Sequence, residues 1–283
     1  MTSRPGQQQL LLLNNHQIEC AYADACGNTF LIFDCLNNEF TDQEWEAVKE
    51  RIWTLLSLAQ VDDALVLRKV EKNNDAIKLK MHVLEPDRTE ADFCGNGARA
   101  VGLYLHRKYR AVHHVLVSRF GEHEFKYGND GSLVRMGTPL LNSEELLFNF
   151  NQSSYTFRFV DCVEPHLVTD DFFDAQLLSE IGQQINSRWK ERFPRGINVN
   201  CFRHIDQHRL EVLTYERGIY AITKACGTGS LACTKVAIDK KLILSDSTVT
   251  IQVLGGQLKI NQCNDVFWLG GPVILKPKNF FVF

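Results

Sequence analysis

Two short stretches place a cysteine directly before a Gly-x-Gly turn and a helical pattern: Phe93-Cys94-Gly95-Asn96-Gly97-Ala98 and Ala225-Cys226-Gly227-Thr228-Gly229-Ser230. The cysteines stand 132 residues apart (226 − 94), and each following pattern runs into basic residues, Arg107, Lys108 and Arg110 in one case and Lys240-Lys241 in the other. A helix start presents backbone N–H groups outside the helical ladder and the positive end of a dipole. Both bind a carboxylate, and both lower a thiol's pKa from its usual ~8.5. Two such starts would hold one carboxylate between two reactive thiols, an arrangement suited to taking a proton from one face of a carbon and returning one to the other. The chemistry is demanding, because an α-proton beside a carboxylate is far less acidic than a thiol and each pH unit of mismatch costs ~1.4 kcal/mol. Preorganised N–H donors aimed at the developing charge contribute roughly 2.7–4 kcal/mol apiece, and a closing cleft that excludes water strengthens them.

The elements that must carry these cysteines repeat along the chain. His16 to Asp34 reads as two strands around a turn at Ala25-Cys26-Gly27-Asn28. Thr41 to Ala59 opens with a Thr-x-x-Glu capping box (Thr41, Glu44) and sets Trp45, Val48, Ile52, Leu55 and Leu56 on one helical face. A hairpin follows, Ala64 to Lys69 and Ala76 to Leu84 about Asn73-Asn74-Asp75, then a helix over Gly95 to Arg110 and strands from Val112 to Met136. Gly137-Thr138-Pro139 is the crossover, after which come strands around Tyr155 to Thr169, a helix around Asp174 to Ile185, strands from Asn198 to Thr214 and the second cysteine helix. The chain therefore reads as two variants of one α/β unit.

Composition narrows the function. The chain has 283 residues, room for two domains, and 45% hydrophobic with 23% charged residues is the balance of a globular protein rather than a disordered or fibrous one. Thirty-one Lys and Arg against 34 Asp and Glu leave no basic surplus for nucleic acid. The longest apolar runs, Leu10 to Leu13 and Phe280 to Phe283, are too short to span a membrane, and Met1 to Gln9 lacks the apolar core of a signal peptide, so a frayed start and a cytoplasmic location are expected. Nine cysteines without a Cys-x-x-Cys pair predict reduced thiols and no structural zinc. Cys20, Cys26, Cys35, Cys162, Cys201, Cys233 and Cys263 are read as core or incidental. His113-His114, with His123 nearby, would point to opposite faces of a strand and suggests no metal site.

Beyond the two cysteine motifs, the chain carries Gly27-Asn28-x-Phe30 with Asp34, Thr89-Glu90-x-x-Phe93, Arg99, Met136-Gly137-x-Pro139, Pro165-His166, Asn198-Val199 and Tyr215-Glu216-Arg217-Gly218. With these it resembles the diaminopimelate epimerases, cofactor-independent two-cysteine amino-acid epimerases, over nearly its whole length. The resemblance implies an α/β (α+β) fold of two pseudo-symmetric halves, each a curved mixed β-sheet wrapped around a central helix, with the active site in the interdomain cleft. The halves would be 1–138, with a returning strand at 273–283, and 139–272. It implies no cofactor and no metal, an amino-acid substrate as the small-molecule partner, and the homodimeric pairing common in the family. The reaction implied is conversion of LL-diaminopimelate to the meso form, in lysine and peptidoglycan precursor synthesis.

By the same resemblance Cys94 and Cys226 are the paired base and acid, and His166 and Glu216 hold their protonation states. The N–H groups of Gly95, Asn96, Gly227 and Thr228 take the reacting carboxylate and Asn28 the reacting amine. Asn198 and Arg217 reach the far carboxylate, with Glu216 also near the far amine. Three positions depart from the family pattern: Glu85 and Glu164 replace asparagines and Asp63 a glutamine. All add negative charge around the substrate, and the 218–225 loop is one residue longer than usual. These changes favour a cationic substrate, so a racemase of lysine, ornithine, arginine or histidine is the alternative reading. Two rivals from other classes are a non-catalytic amino-acid-binding protein and a thiol redox sensor.

Overall fold

A computed structural model describes residues 9–13, 16–72, 77–110, 113–118, 120–128 and 131–276. The expected turn at Asn73-Asn74-Asp75, residues 1–8 of the expected frayed start and residues 277–283 of the expected returning strand lie outside them. The chain divides into two compact units, Met1–Val134 with Pro272–Phe283, and Arg135–Gly271.

The first unit runs β1 (Gln9–Leu13), β2 (His16–Ala25), β3 (Asn28–Asp34), α1 (Asp42–Ala59), β4 (Asp63–Lys72), β5 (Ile77–Leu84), β6 (Glu90–Ala91), α2 (Gly95–Tyr109), β7 (His113–Ser118), β8 (Gly121–Gly128) and β9 (Gly131–Gly137), the last crossing the unit boundary. The second runs β10 (Leu140–Phe150), β11 (Ser153–Cys162), β12 (Glu164–Thr169), α3 (Ala175–Arg188), β13 (Asn198–Asp206), β14 (Arg209–Glu216), β15 (Ala221–Ile222), α4 (Gly227–Asp239), β16 (Thr248–Val253), β17 (Gly256–Cys263) and β18 (Val266–Gly270). A last strand, β19 (Ile274–Lys276), returns to the first unit and pairs antiparallel with β2.

The pairings establish the repeat. In the first unit β2–β3 is antiparallel, β3–β4 parallel across α1, β4–β5 antiparallel, β5–β7 parallel across α2, and β7–β8–β9 antiparallel. The second unit reproduces this series as β11–β12, β12–β13 across α3, β13–β14, β14–β16 across α4, and β16–β17–β18. Even the two-residue strands correspond, β6 pairing with β5 and β15 with β14 just before each cysteine.

Each unit packs one helix on the outside of its sheet and one within its curve. The capping box of α1 forms as its sequence requires, with Glu44 N bonded to Thr41 Oγ1 and Thr41 N to Glu44 Oε2. Its apolar face, Trp45, Val48, Ile52, Leu55 and Leu56, is buried with Leu31, Phe33 and Val66 of the sheet. In the second unit Leu178, Ile181 and Ile185 of α3 are buried with Leu167, Val199, Leu213 and Tyr215. By contrast α2 is buried continuously from Asn96 to Leu105, and α4 from Gly227 to Thr234. Strands as far apart as β2 and β8 touch α2, and β11 and β18 both touch α4, which a flat sheet could not achieve. Fully buried Val101, Leu105 and Leu231 contribute about 1.5–3 kcal/mol each by leaving water.

The far end of α2 is anchored by a buried carboxylate. Asp34 at the end of β3 accepts from Tyr104 Oη at 2.9 Å, Tyr109 Oη at 2.7 Å and Lys108 Nζ at 2.5 Å, while Lys108 also meets Glu19 at 2.9 Å. Removing the carboxylate strands a half-buried ammonium and two phenols, so Asp34→Ala is expected to cost about 3 kcal/mol, read as a lower urea midpoint. Unchanged stability would show that the network contributes nothing.

Candidate active site

The two cysteines occupy equivalent places in their units. Each is the N-cap of its helix in extended backbone, Cys94 at φ −137°, ψ 110° and Cys226 at φ −116°, ψ 112°. Each sulfur accepts the third helical N–H, Gly97 N to Cys94 Sγ at 3.3 Å and Gly229 N to Cys226 Sγ at 3.4 Å. Sulfur thus takes the role that a Ser or Asp oxygen usually fills, and a donor aimed at it favours the thiolate. The helical ladder opens with Ala98 N to Cys94 O and Ser230 N to Cys226 O. The N–H groups of Gly95, Asn96, Gly227 and Thr228 therefore precede the ladder, where an anion is held.

The glycine at each third position is required by packing. A Cβ on Gly97 would lie 2.9 Å from Leu65 Cδ2, and one on Gly229 would lie 2.4 Å from Asn200 Oδ1 and 2.8 Å from Thr214 Oγ1. At Gly97 the tip of Leu65 would have to swing away, and at Gly229 the Asn200 amide and Thr214 hydroxyl, hydrogen-bonded to each other, leave no room.

Around Cys94, which is half-buried, a chain of amides forms. Asn28 Oδ1 lies 3.9 Å from Cys94 Sγ and accepts from Asn96 Nδ2 at 3.4 Å, and Asn96 Oδ1 accepts from Arg99 Nη2 at 2.8 Å. Asp62 fixes the other end, its Oδ2 accepting from Asn28 Nδ2, Thr29 N and Thr29 Oγ1. Asp63, the acid that the resemblance places near the reacting amine, follows Asp62 at the start of β4, half-buried and in register with Phe30. The Glu85 carboxylate accepts from Thr89 Oγ1 at 2.6 Å across the Pro86-Asp87-Arg88 turn. Phe93, the residue before Cys94, stacks on His123 with ring centroids 4.4 Å apart.

Around Cys226 the surroundings are drier. Burial holds its thiol well above the usual range and the Glu216 carboxylate adds to this, against hydrogen bonds from Thr228 and Gly229. His166 is wholly buried, and its orientation follows from Asn200. That amide donates Nδ2 to the Leu167 carbonyl at 3.0 Å and accepts Thr214 Oγ1 at 2.8 Å, so Nδ2 also faces His166 Nδ1, at 3.1 Å, as a donor. Nδ1 is then the acceptor and the proton sits on Nε2, which has no partner among the described residues. Burial, with the Arg217 charge second, lowers the His166 pKa to about 3.

The remaining expected residues meet at one end of the β12–β13–β14 sheet. Asn198 Oδ1 accepts Arg217 N at 2.9 Å, and Arg217 Nε donates to Glu164 Oε2 at 2.6 Å, with Nη2 on the same oxygen. Glu164 follows Val163, a β-branched residue at φ +69° that forms a one-residue corner between β11 and β12. Such a conformation costs of order 1–3 kcal/mol. It is held by Cys162 Sγ on the Thr228 carbonyl on one side and the Glu164–Arg217 pair on the other.

Asp62 and Asn200 are not among the residues the sequence points to; their signals are a neighbouring acid and an Asn-x-Asn repeat. Among the described residues no group of three or more His, Cys, Asp or Glu is placed to hold a metal, and no helix is long and apolar enough to cross a membrane. His113 is exposed and His114 buried, on opposite faces of β7.

Solved structures share this two-unit architecture. A hydroxyproline epimerase from Agrobacterium vitis matches with a TM-score of 0.63, 11% identity and 92% of each chain covered. A probable proline racemase from Agrobacterium radiobacter K84 matches with a TM-score of 0.65, 12% identity and 94% of each chain covered. The likeness is one of fold. Sequence similarity is narrower: the diaminopimelate epimerase family profile matches residues 160–274. The diaminopimelate epimerase of Methanocella arvoryzae is 30% identical over 87% of this chain and 90% of its own, and that of Clostridium perfringens 29% over 83% and 89%. The chain belongs to the diaminopimelate epimerase family, and it is an isomerase.

A histidine kept neutral by burial makes folding pH-dependent. Its folded pKa of about 3 lies below the unfolded value of about 6.5, so its contribution is complete above pH 6.5 and is lost as pH falls toward 3. His166→Gln, which cannot titrate, should remove about 2 kcal/mol of the stability lost between pH 7 and pH 5, measured by urea denaturation at both. An identical loss in the variant would place the acid sensitivity elsewhere.

Proposed function

We propose that the protein inverts the α-carbon of an amino acid by a two-thiol mechanism that uses no pyridoxal phosphate. The observation that carries this reading is the matched pair of N-cap cysteines, each with its sulfur on the third helical N–H at the start of a helix. In the mechanism one thiolate takes the α-proton and the other sulfur, as a thiol, returns a proton to the opposite face. The N–H groups of Gly95, Asn96, Gly227 and Thr228 hold the carboxylate while negative charge builds on it. Asn28 binds the amine, oriented by Asp62. Burial and the Glu216 carboxylate disfavour a second negative charge at Cys226, keeping one proton for two sulfurs. The family's own substrate, diaminopimelate, is the first reading, converted from the LL to the meso form.

One observation favours a second substrate class. By resemblance Arg217 serves a far carboxylate, yet here its guanidinium is already paired with Glu164, which stands where the family has an asparagine. Glu85 adds a further carboxylate in the first unit. A basic amino acid, which brings a cation instead of a second carboxylate, suits these charges.

The test is loss of the α-proton signal in D₂O, followed by proton NMR of reduced protein with LL-diaminopimelate, lysine, ornithine, arginine and histidine in separate samples. Exchange with diaminopimelate supports the first reading, exchange with a basic amino acid the second, and silence throughout overturns both in favour of a binding protein. Cys94→Ala and Cys226→Ala should each slow exchange at least about a hundredfold without loss of fold. Full activity in either variant would sink the two-thiol mechanism. Glu164→Asn, which releases Arg217, should raise kcat/KM for diaminopimelate relative to lysine by about tenfold, the ratio a 1.4 kcal/mol contact supplies; an unchanged ratio removes the pair from specificity.

A further inference from the structure

Asn200, on β13, is fully buried and lies between two groups of the second unit that could exchange a proton, the His166 imidazole and the Cys226 thiol. Its Nδ2 donates one hydrogen to the Leu167 carbonyl at 3.0 Å and its Oδ1 accepts the Thr214 hydroxyl at 2.8 Å, which leaves the second Nδ2 hydrogen facing His166 Nδ1 at 3.1 Å. A neutral imidazole has one lone pair for a proton, and the amide occupies it. The oxygen end of the same amide meets the start of α4. A Cβ on Gly229 would lie 2.4 Å from Asn200 Oδ1, 2.8 Å from Thr214 Oγ1 and 3.3 Å from Cys226 Sγ, so amide, hydroxyl and sulfur gather round the place that the glycine leaves open. Neither Asn200 nor Thr214 has a task in the two-thiol mechanism. A thiol beside an imidazole whose lone pair is free passes its proton to the ring, and the resulting thiolate–imidazolium pair is the activated form of a cysteine nucleophile. Burial alone does not exclude such a pair, because two opposite charges formed in contact offset each other's desolvation.

We propose that Asn200 is a positioning residue that insulates Cys226 from His166: by filling the lone pair of the imidazole and standing beside the sulfur, it keeps the Cys226 proton from passing to the ring and reserves it for the substrate carbon. Thr214 keeps the amide the right way round, since the flipped amide would set Oδ1 against the Leu167 carbonyl and the lone pair of His166. Without the amide, the proton of Cys226 Sγ would move to His166 Nδ1 and leave a thiolate and an imidazolium. The inference rests on the two-thiol reading and adds to it what prevents the second thiol from losing its proton to a side chain. The other charged and titratable groups facing the two are Glu216 at the end of β14, Cys162 at the end of β11 and Cys233 of α4 for Cys226, and Arg217 after β14 for His166.

The experiment combines nitrogen-15 NMR of the histidine side chains in full-length reduced protein, His166 being assigned by the signal lost in His166→Gln, with the rate of Cys226 alkylation by iodoacetamide, read by mass spectrometry. In the wild type, His166 should show a protonated Nε2 and an unprotonated, hydrogen-bonded Nδ1, and Cys226 should alkylate slowly at neutral pH, equally so in His166→Gln. Asn200→Ala should speed alkylation of Cys226 at least about tenfold and turn the His166 signals into those of an imidazolium. Adding His166→Gln to Asn200→Ala should abolish that gain. A merely structural role would loosen the start of α4 and expose the sulfur whichever residue stands at position 166. The proposal is overturned by a proton on His166 Nδ1 in the wild type, by unchanged Cys226 reactivity in Asn200→Ala, or by a gain that persists in the double variant. If Asn200→Ala does not fold, the wild-type spectrum and His166→Gln decide, since a proton on Nδ1, or Cys226 alkylation slowed by His166→Gln, overturns it. Neither readout requires turnover, so failure here stays distinct from failure of the two-thiol reading, which the Cys94→Ala and Cys226→Ala exchange assays judge.

Discussion

A backbone N–H bonded to sulfur at the first turn of a helix is the contact on which the rest of this molecule depends. The bond from Gly97 to Cys94, and its counterpart from Gly229 to Cys226, requires a helix start pressed so closely to the sheet that the donor residue has no side chain. Close approach in turn requires small residues along the helix, which Ala98, Ala100 and Gly102 provide in α2 and Ser230, Ala232 and Cys233 in α4. A helix buried without a break from Asn96 to Leu105 needs strands around it. The curvature of each sheet and the outer cover of α1 and α3 follow from that requirement.

One topology used twice has produced two different electrical environments. In the first unit the sulfur is half-buried, with amides around it and a buried guanidinium behind them. In the second the sulfur is buried and a carboxylate acts on it, and the unit's buried His166 is too desolvated to be a cation at neutral pH. Pushing the proton affinities of two like groups apart is a general way to obtain a base and an acid from one residue type. Single positions differ, such as Arg99 in the first helix against Leu231 in the second, while strand order and helix caps stay the same.

Much of this was legible in the residues. The duplicated Cys-Gly-x-Gly stands out because only a helix start against a sheet needs that pattern, and the Thr41–Glu44 box and the spacing of Trp45, Val48 and Ile52 define α1 by local rules alone. What escaped depends on which side chains meet across strands. Asp62 and Asp63 are neighbours of identical type, and only the pairing of β3 with β4 decides that Asp62 reaches Asn28. Asn200 matters because β12 and β14 lie on either side of β13, bringing Leu167 and Thr214 to one amide. Cys26 read as incidental, since its nearness to Arg99 depends on a turn conformation and a carbonyl more than two hundred residues away. The corner at Val163 runs against residue preference altogether, and the contacts on either side of it hold it in place.

The carbonyl of Pro272 that receives both Arg99 and Cys26 follows the whole of the second unit in sequence, as does the strand at Ile274–Lys276 that completes the first sheet. During synthesis from the amino end, residues 135–271 have all emerged before the first unit can close around its arginine. The second unit, continuous in sequence, has no such wait. The half that is translated first is therefore the one whose sequence is completed last.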